Sequence, residues 1–535
     1  MIRFIKVFLK NKRGIVGLLL VAFFCFLALG AAWLTPYNQL GYVEGQVKPL
    51  AGSMAAPSWL RTLPPALGGR PDLSENVKVV SEPKFSSENW NWANGGEWNL
   101  SVSPGAESAV KVEWSSTGGH IPDGDGRYPP NANDSNLLIT FNRTGSELRG
   151  NISIMIFKDF DFPYTGPPAN GLALVDLSVE GTKHEENRSV WDTGKTKYVW
   201  QMSDVADVAA NFSLFIVSPN GSRFNAWPPG ETWIFGGEIF NKTGYADGTR
   251  IPAYEYGSTG FEGRFVFPPP SNGKCRFGAE ILLTDYYSNS SDVSMSFRLY
   301  DLNLELRGTA FGLLGTTYRG HDIWSQLAYG ARVSLYAGVV SAVLAIVIGL
   351  SVGLASGYLG RFFDELMMRA SDVLLVLPGL PLLIVLFAIM GASIENLIIL
   401  NGLLGWMGFA KLVRSQVLSI RERPFIEAAK AAGAGTGHII VRHVLPNVMG
   451  LVYVTLATAV PGAIVAEAAL SWLGFFDWRR MSWGRMLQEM QAANAVDKWW
   501  WVLPPGLCIA AISVAFILLG YALDEVLNPK LRVRR

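Results

Sequence analysis

The sequence predicts an α-helical membrane protein of six spans carrying a large inserted all-β domain, sandwich- or jelly-roll-like. Three observations carry this. One long apolar run lies near the start and five lie in the last two-fifths of the chain. No run between them is long enough to cross a bilayer. That middle stretch is rich in Gly, Ser, Asn, Pro, Trp and Tyr and holds short strand-like runs between turn residues. At 535 residues the chain exceeds one ordinary domain. Its 49% hydrophobic and 17% charged residues suit a membrane protein, and a net charge of +1 gives no basic excess for nucleic acid.

The first span is Gly14 to Leu34, free of charge and long enough for a hydrocarbon core of about 30 Å. Arg3, Lys6, Lys10, Lys12 and Arg13 precede it. A cleaved signal peptide would have a shorter apolar region, so an uncleaved span with Trp33 at the interface is the expectation. Val333–Leu354 is the second span. Val373–Met390 is the third, interrupted by Pro378 and Pro381. Leu397–Ala410, extending to Val413, is the fourth. Val448–Val465, with Pro461 and Gly462, is the fifth, and Trp501–Leu523 the sixth. Proline and glycine inside spans imply helices that satisfy one another in a bundle.

Lysine and arginine in short loops set the orientation. The basic start, the ending with Lys530, Arg532, Arg534 and Arg535, and the loop with Lys411, Arg414, Arg421, Arg423, Lys430 and Arg442 are expected in the cytoplasm. The protein is thus a multi-pass cell-membrane protein with both termini inside. Glu467–Lys498 carries four basic residues on the outer side and is expected to form a re-entrant or interfacial element. Three parts follow: 1–35, the N-terminus and first span; 36–320, an extracellular β-rich domain; and 321–535, a five-span core with a cytoplasmic loop over 411–446.

Runs at 137–141, 152–157, 212–217 and 293–299 are the candidate strands of the middle domain. One cysteine, Cys275, lies there, so no disulfide framework is available. Nine Asn-X-Ser/Thr sequons, at Asn99, Asn133, Asn142, Asn151, Asn187, Asn211, Asn220, Asn241 and Asn289, make a glycosylated outer surface an expectation. Gly194-Lys195-Thr196 lacks the earlier glycine of a phosphate-binding loop, having Ser189 there, and reads as a solvated turn. Trp90, Trp92, Trp98, Trp191, Trp200 and Trp227 are core residues or a contact face.

The inner loop is the most readable segment. Pro424 suits the first position of a helix, Glu427 its first turn, and Gly433 a left-handed end. Thr436 is the expected cap of a second short helix running to Leu445, with Pro446 turning the chain into the fifth span. Alanines on the first helix let another protein approach closely. Asp364 and Arg369, near the preceding inner loop, are a solvated face, pair with neighbours, or touch a cytoplasmic partner protein. Glu467, at the outer end of the fifth span, is expected to act as an outer-gate or binding-protein contact or to be paired internally.

Glu427-Ala428-Ala429, then three residues, Gly433, and later Leu445-Pro446 resemble the coupling motif of ABC-importer permease subunits, with His443 where the general pattern has Ile. Arg442–Asn447, Gly357–Asp364, Met368–Asp372, Ala466–Gly474, Ser482–Met486 and Asp524–Arg532 are similar to the dipeptide/oligopeptide/nickel branch. Lys10–Gly14 before the first span is similar to the C-type member of the permease pair. The resemblance covers 1–36 and 320–535, not the middle domain. It implies a non-enzymatic channel subunit importing di- or oligopeptides, with oligosaccharides or nickel as alternatives. It also implies a homologous permease partner, two cytoplasmic ATPases and an extracellular substrate-binding protein. ATP and Mg would bind the ATPases, and no cofactor or metal this chain. The coupling residues it implies are Glu427, Ala428, Ala429, Gly433, Leu445 and Pro446. A secondary transporter would need inverted repeats or mid-membrane charges. A membrane-anchored receptor would leave six spans and a structured inner loop unexplained.

Overall fold

The computed structural model describes residues 11–43, 49–80, 97–115, 136–143, 151–181, 187–192, 197–202, 208–225, 232–234, 249–250, 266–285 and 293–527. Two compact units result, a helical one from 1–50 with 312–535 and a β-rich one from 51–311. The helical unit therefore takes in the segments flanking the β-rich one. Leu50 N–H donates to Gly320 O at 2.8 Å, and Asp322 N–H to Gly41 O at 2.8 Å.

Helix α1 spans Lys12–Leu34 and is capped by Asn11, whose Oδ1 accepts from Arg13 N–H at 2.9 Å. Trp33, near its end, is 88% exposed. Helix α2, Ile323–Leu359, is capped by Asp322, whose carboxylate accepts from Ser325 N–H at 2.8 Å. Helices α3 (Arg361–Val376) and α4 (Gly379–Met390) form one broken apolar stretch, bent by 94°. Pro378 explains the break: it forces Leu377 into an extended conformation, ψ 137°, and cannot donate to a helix. Helices α5 (Ile394–Gly405) and α6 (Met407–Arg421) run on through Trp406 as one 28-residue span, longer than its apolar run suggested. Helix α7 is Pro424–Ala431 and α8 is Thr436–Ile439. A π-helical turn, Ile440–Val444, joins α8 to α9, Leu445–Trp472. Helix α10 is Trp483–Ala492 and α11 is Trp499–Leu527. Among the described residues five helices are long and apolar enough to cross a membrane, or six if the bent pair is one span. This is a helical polytopic membrane domain.

The bundle packs through glycine. Gly349, Gly353 and Gly357 recur every four residues on α2 and face α6. A Cβ at Gly349 would stand 2.8 Å from Trp406 O, one at Gly353 2.6 Å from Ala410 O, and one at Gly357 2.7 Å from Val417 Cβ. With no hydrophobic drive between helices in lipid, such small-residue stripes let backbones approach.

In the β-rich unit the strands are β1 (Val77–Lys78), β2 (Asn99–Val102), β3 (Val110–Ser115), β4 (Asn136–Arg143), β5 (Asn151–Phe162), β6 (Asn170–Gly181), β7 (Asn187–Asp192), β8 (Lys197–Met202), β9 (Val208–Val217), β10 (Arg223–Asn225), β11 (Thr232–Ile234), β12 (Thr249–Arg250), β13 (Gly273–Asp285) and β14 (Val293–Arg307). One antiparallel sheet has the order β12-β6-β14-β4-β3, with β1 on β14. The other has β10-β9-β13-β5-β2, with β11 on β9. Strands β7 and β8 form a hairpin.

The two larger sheets share one core. Leu137, Ile139 and Phe141 of β4 meet Ile152, Ile154 and Ile156 of β5 and Phe277, Ile281 and Leu283 of β13. A register shift between Leu299 and Asp301 changes the parity of β14. Phe297 and Leu299 before it, and Leu302, Leu304 and Leu306 after it, all reach the core. The ends of the unit lie side by side, bridged between Ala56 and Ala310. Trp98 is fully buried in this core. Trp191 and Trp200 stand opposite Tyr198 and Ser189 in the hairpin. Cys275 is a buried free thiol whose pKa is pushed up to about 12, by burial first and by Asp161 second, so it is unreactive. Of the sequons, Asn99, Asn142, Asn151 and Asn220 are exposed, and Asn187 and Asn211 lie in β7 and β9. Asn133, Asn241 and Asn289, with Trp90, Trp92, Trp227 and Gly194-Lys195-Thr196, lie outside the described residues.

Candidate coupling site

The loop between α6 and α9 folds from local signals. Arg423 precedes Pro424, which opens α7, and Glu427 lies in the first turn. At the other end Gly433 takes φ +81°. Its N–H donates to Lys430 O at 2.9 Å, and Ala434 N–H donates to Ala429 O at 3.1 Å. These two bonds are the paired closure of a Schellman end, which needs a residue free of Cβ at Gly433.

Helix α7 hangs on one side chain. Ile426 is its one buried residue, inserted among Val413, Val417 and Ile420 of α6, Ile439 and Val444 of the following turn, and Val448 of α9. Glu427, Ala428, Lys430 and Ala431 are exposed. The ammonium of Lys430 lies 5.9 Å from the centre of the Tyr358 ring, at the end of α2. Ile426 therefore anchors α7 to both α6 and α9.

The second half of the loop differs from expectation. Gly435, not Thr436, is the N-cap of α8, with no side-chain cap. The chain does not turn at Pro446. It runs as helix from Thr436 to Trp472. The π turn at Ile440–Val444 explains this, because widening the helix just before Pro446 accommodates its ring and missing N–H. Asn447 Nδ2 donates to His443 O at 2.7 Å in the same turn. The His443 ring lies 6.5 Å from Phe425 and 6.0 Å from His438, so it spans the two arms of the loop.

Helices α3 and α6 are joined by two ion pairs. Arg414 Nε donates to Asp364 Oδ1 at 2.5 Å and its Nη2 to Oδ2 at 2.6 Å. Lys411 Nζ donates to Asp372 Oδ1 at 2.5 Å. Asp364 is thus engaged within the bundle and is not part of a free solvated face.

Glu467 of α9 is buried. Ser471 and Ser482 donate to its Oε1 at 2.8 and 2.6 Å, and Ser334 of α2 to its Oε2 at 3.3 Å. Trp483 N–H donates to Ser334 Oγ at 3.2 Å. Its geometry is internal pairing that ties α9, α2 and the start of α10 together, and it offers no exposed oxygen to a docking protein. Ser471, four residues on, is visible as a partner in the sequence. Ser334 and Ser482 arrive only through the fold. In α10, Arg485 is buried, paired with Glu489 at 2.9 Å and donating to the carbonyls of Trp478 and Arg480. Among the described residues no cluster of His, Cys, Asp or Glu could hold a metal.

A bundle of five or six apolar spans with a structured inter-span loop defines a multi-pass membrane protein. Residues 315–533 match the model of the binding-protein-dependent transport system inner membrane component, and residues 1–50 that of the N-terminal TM domain of oligopeptide transport permease C. The dipeptide transport system permease protein DppC of Bacillus subtilis is 38% identical over 219 residues, which are 41% of this chain and 68% of that protein. The oligopeptide transport system permease protein OppC of Bacillus subtilis is 36% identical, over 41% of this chain and 72% of its own length. OppC of Haemophilus influenzae is 37% identical, over 41% and 71%. Among solved structures, a family 22 carbohydrate-binding module of Clostridium thermocellum covers 43% of this chain and 99% of its own at 10% identity, but its TM-score of 0.18 carries no argument. The chain belongs to the family of binding-protein-dependent transport permeases, in its dipeptide/oligopeptide branch.

Proposed function

We propose that this chain is the membrane channel subunit of an ATP-driven importer of di- and oligopeptides, and that α7 couples it to an ATPase. The supporting relatives are named for dipeptide and oligopeptide transport. The observation that carries the coupling role is the geometry of α7: an exposed surface of Glu427, Ala428 and Ala431, fixed to two spanning helices through Ile426. An ATPase cleft closing on ATP would move α7 as a lever and shift the bundle between two packings. Gly433, Leu445 and Pro446 shape that lever. Ala429, half-buried, packs the lever against the bundle. ATP and Mg belong to two cytoplasmic ATPase subunits, and a homologous permease and an extracellular substrate-binding protein complete the importer.

The basic residues around α1 and α7 support a cytoplasmic face for both. The β-rich unit then lies outside the cell, one span away from that face. Four exposed sequon asparagines, Asn99, Asn142, Asn151 and Asn220, support an outer, glycosylated location.

The test is purification of the tagged chain from its native membrane in mild detergent, with identification of what accompanies it. The expected result is a second permease and two ATPases, with the ATPases lost from Glu427→Arg and Ala428→Trp. A chain that purifies alone, or variants that keep their ATPases and full uptake, would overturn the reading.

A further inference from the structure

We propose that the cleft between α2, α4, α5 and α9 binds the carboxylate of the transported molecule during passage. The proposal rests on the importer reading above and names a site within it. The cleft encloses about 360 Å³, and small residues such as Gly405 and Gly462 form much of its wall. Ser341, near the midpoint of α2, places it deep in the bundle.

Two unsatisfied polar side chains line the same space. Ser341 is 1% exposed and its Oγ has no hydrogen-bond partner. The buried Nδ2 of Asn401 has none either. A buried polar group left unpaired costs about 1–3 kcal/mol, so two in one cleft call for a ligand.

The third observation is the broken helix. Helix α4 restarts after Pro378 with no side-chain cap. Its first-turn N–H groups, on Gly379 and Leu380, have no carbonyl four residues back, and Pro381 has no N–H at all. Gly379 and Leu380 both line the cleft, and a Cβ at Gly379 would meet nothing within 4 Å. A half-helix start inside a membrane favours negative charge, and broken helices present such ends to anionic groups.

The residues lining this one cleft thus carry donors: two first-turn backbone N–H groups, a hydroxyl and an amide N–H. An ionised carboxylate only accepts, which is the matching pattern. None of the lining residues is charged. A neutral donor set holds an anion without the strength of an ion pair, which suits a group that must move on.

The experiment uses the whole importer, with its ATPases and binding protein, in proteoliposomes, and measures uptake of trialanine with a free C-terminus. Asn401→Ala and Ser341→Ala should each lower uptake about tenfold, the loss of one hydrogen bond to a charged group. Asn401→Asp should lower it further than Asn401→Ala, because a second carboxylate repels the first. Asp and Ala variants with equal uptake, or Ser341→Ala at the wild-type rate, would overturn the proposal. A defect that vanishes when anionic lipid is left out of the vesicles would also overturn it, assigning the anion to lipid. The ATPases should copurify with all three variants. Their absence from the wild-type complex would instead sink the importer reading.

Discussion

Arg414 grips Asp364 with two parallel hydrogen bonds, 2.5 and 2.6 Å long, across the gap between α6 and α3. Arg414 lies on the helix that leads into the loop carrying α7, and Lys411–Asp372 repeats the link eight residues further along α3. Asp364→Ala should therefore loosen α3 against α6. The pair is partly exposed, so the cost is about 1 kcal/mol. Uptake per ATP hydrolysed is the sensitive readout. It should fall in Asp364→Ala and recover partly in the swapped Asp364→Arg/Arg414→Asp protein. A double variant no better than either single one would show that the two side chains do not act as a pair.

The glycine stripe makes a sharper prediction. Gly353→Val would put a Cβ about 2.6 Å from Ala410 O and two further methyl groups against Val413. Overpacking typically costs 1–3 kcal/mol, and here the obstacle is backbone. The variant should fail to give a monodisperse peak on size exclusion in detergent. Gly450→Ala, where a Cβ meets nothing within 4 Å, should behave as wild type.

What the sequence disclosed divides along the range of the interactions. The α7 segment was legible because Pro424, Glu427 and Gly433 act within one or two turns, and each sits as expected. The six apolar runs were legible for the same reason, since length and composition alone define them. Pro446 misled because its effect depends on the π turn before it, which no single residue announces. Glu467 was visible as a charge at the end of a span, but two of its three serine partners, Ser334 and Ser482, lie 133 and 15 residues away. The ion pair of Asp364 is likewise 50 residues long in sequence. The short strand-like runs that became parts of β4, β5, β9 and β14 gave the β character. The parity change in β14 stayed hidden, because a bulge leaves no signature in composition.

A pH prediction follows from the loop that leads into α2. His321 lies 5.1 Å from the Tyr42 ring, and its pKa is pushed down to about 4, by burial first and by Arg319 second. An unfolded imidazole titrates near 6.5. Between those values the unfolded state binds more protons, so stability rises with pH there. The contribution is complete above about 6.5 and is lost as pH falls towards 4. Burial raises the pKa of neighbouring Asp322, which acts in the opposite sense, so the comparison must isolate the histidine. Melting temperatures at about pH 7.5 and about pH 5 should drop more for wild type than for His321→Asn. Equal drops would show that the ring contributes nothing to acid sensitivity.

The β-rich unit can be removed without stretching the chain, because its ends are bridged at Ala56 and Ala310. Replacing 57–309 by a short Gly/Ser linker should leave the helical unit folded and its ATPases bound, since a unit with adjacent ends and its own core is separable. If the unit helps dock the binding protein, uptake should fall while ATP hydrolysis without binding protein stays near wild type. Unchanged uptake would remove the docking role.

Glu467 separates a structural carboxylate from a chemical one. Three serine hydroxyls donate to it inside the bundle. Glu467→Ala leaves all three without an acceptor, at about 1–3 kcal/mol for each that finds no other. It also opens a void between α9, α2 and α10. Glu467→Gln keeps one carbonyl oxygen, keeps the volume, and lets a serine turn its own oxygen towards the new amide. If the residue is a latch, Gln should assemble and transport close to wild type, and Ala should lose thermal stability and uptake together. If its charge takes part in transport, Gln should be stable yet inactive. Melting temperature and uptake measured on the same two preparations distinguish these outcomes, and the geometry of three neutral donors with no cation among them favours the latch.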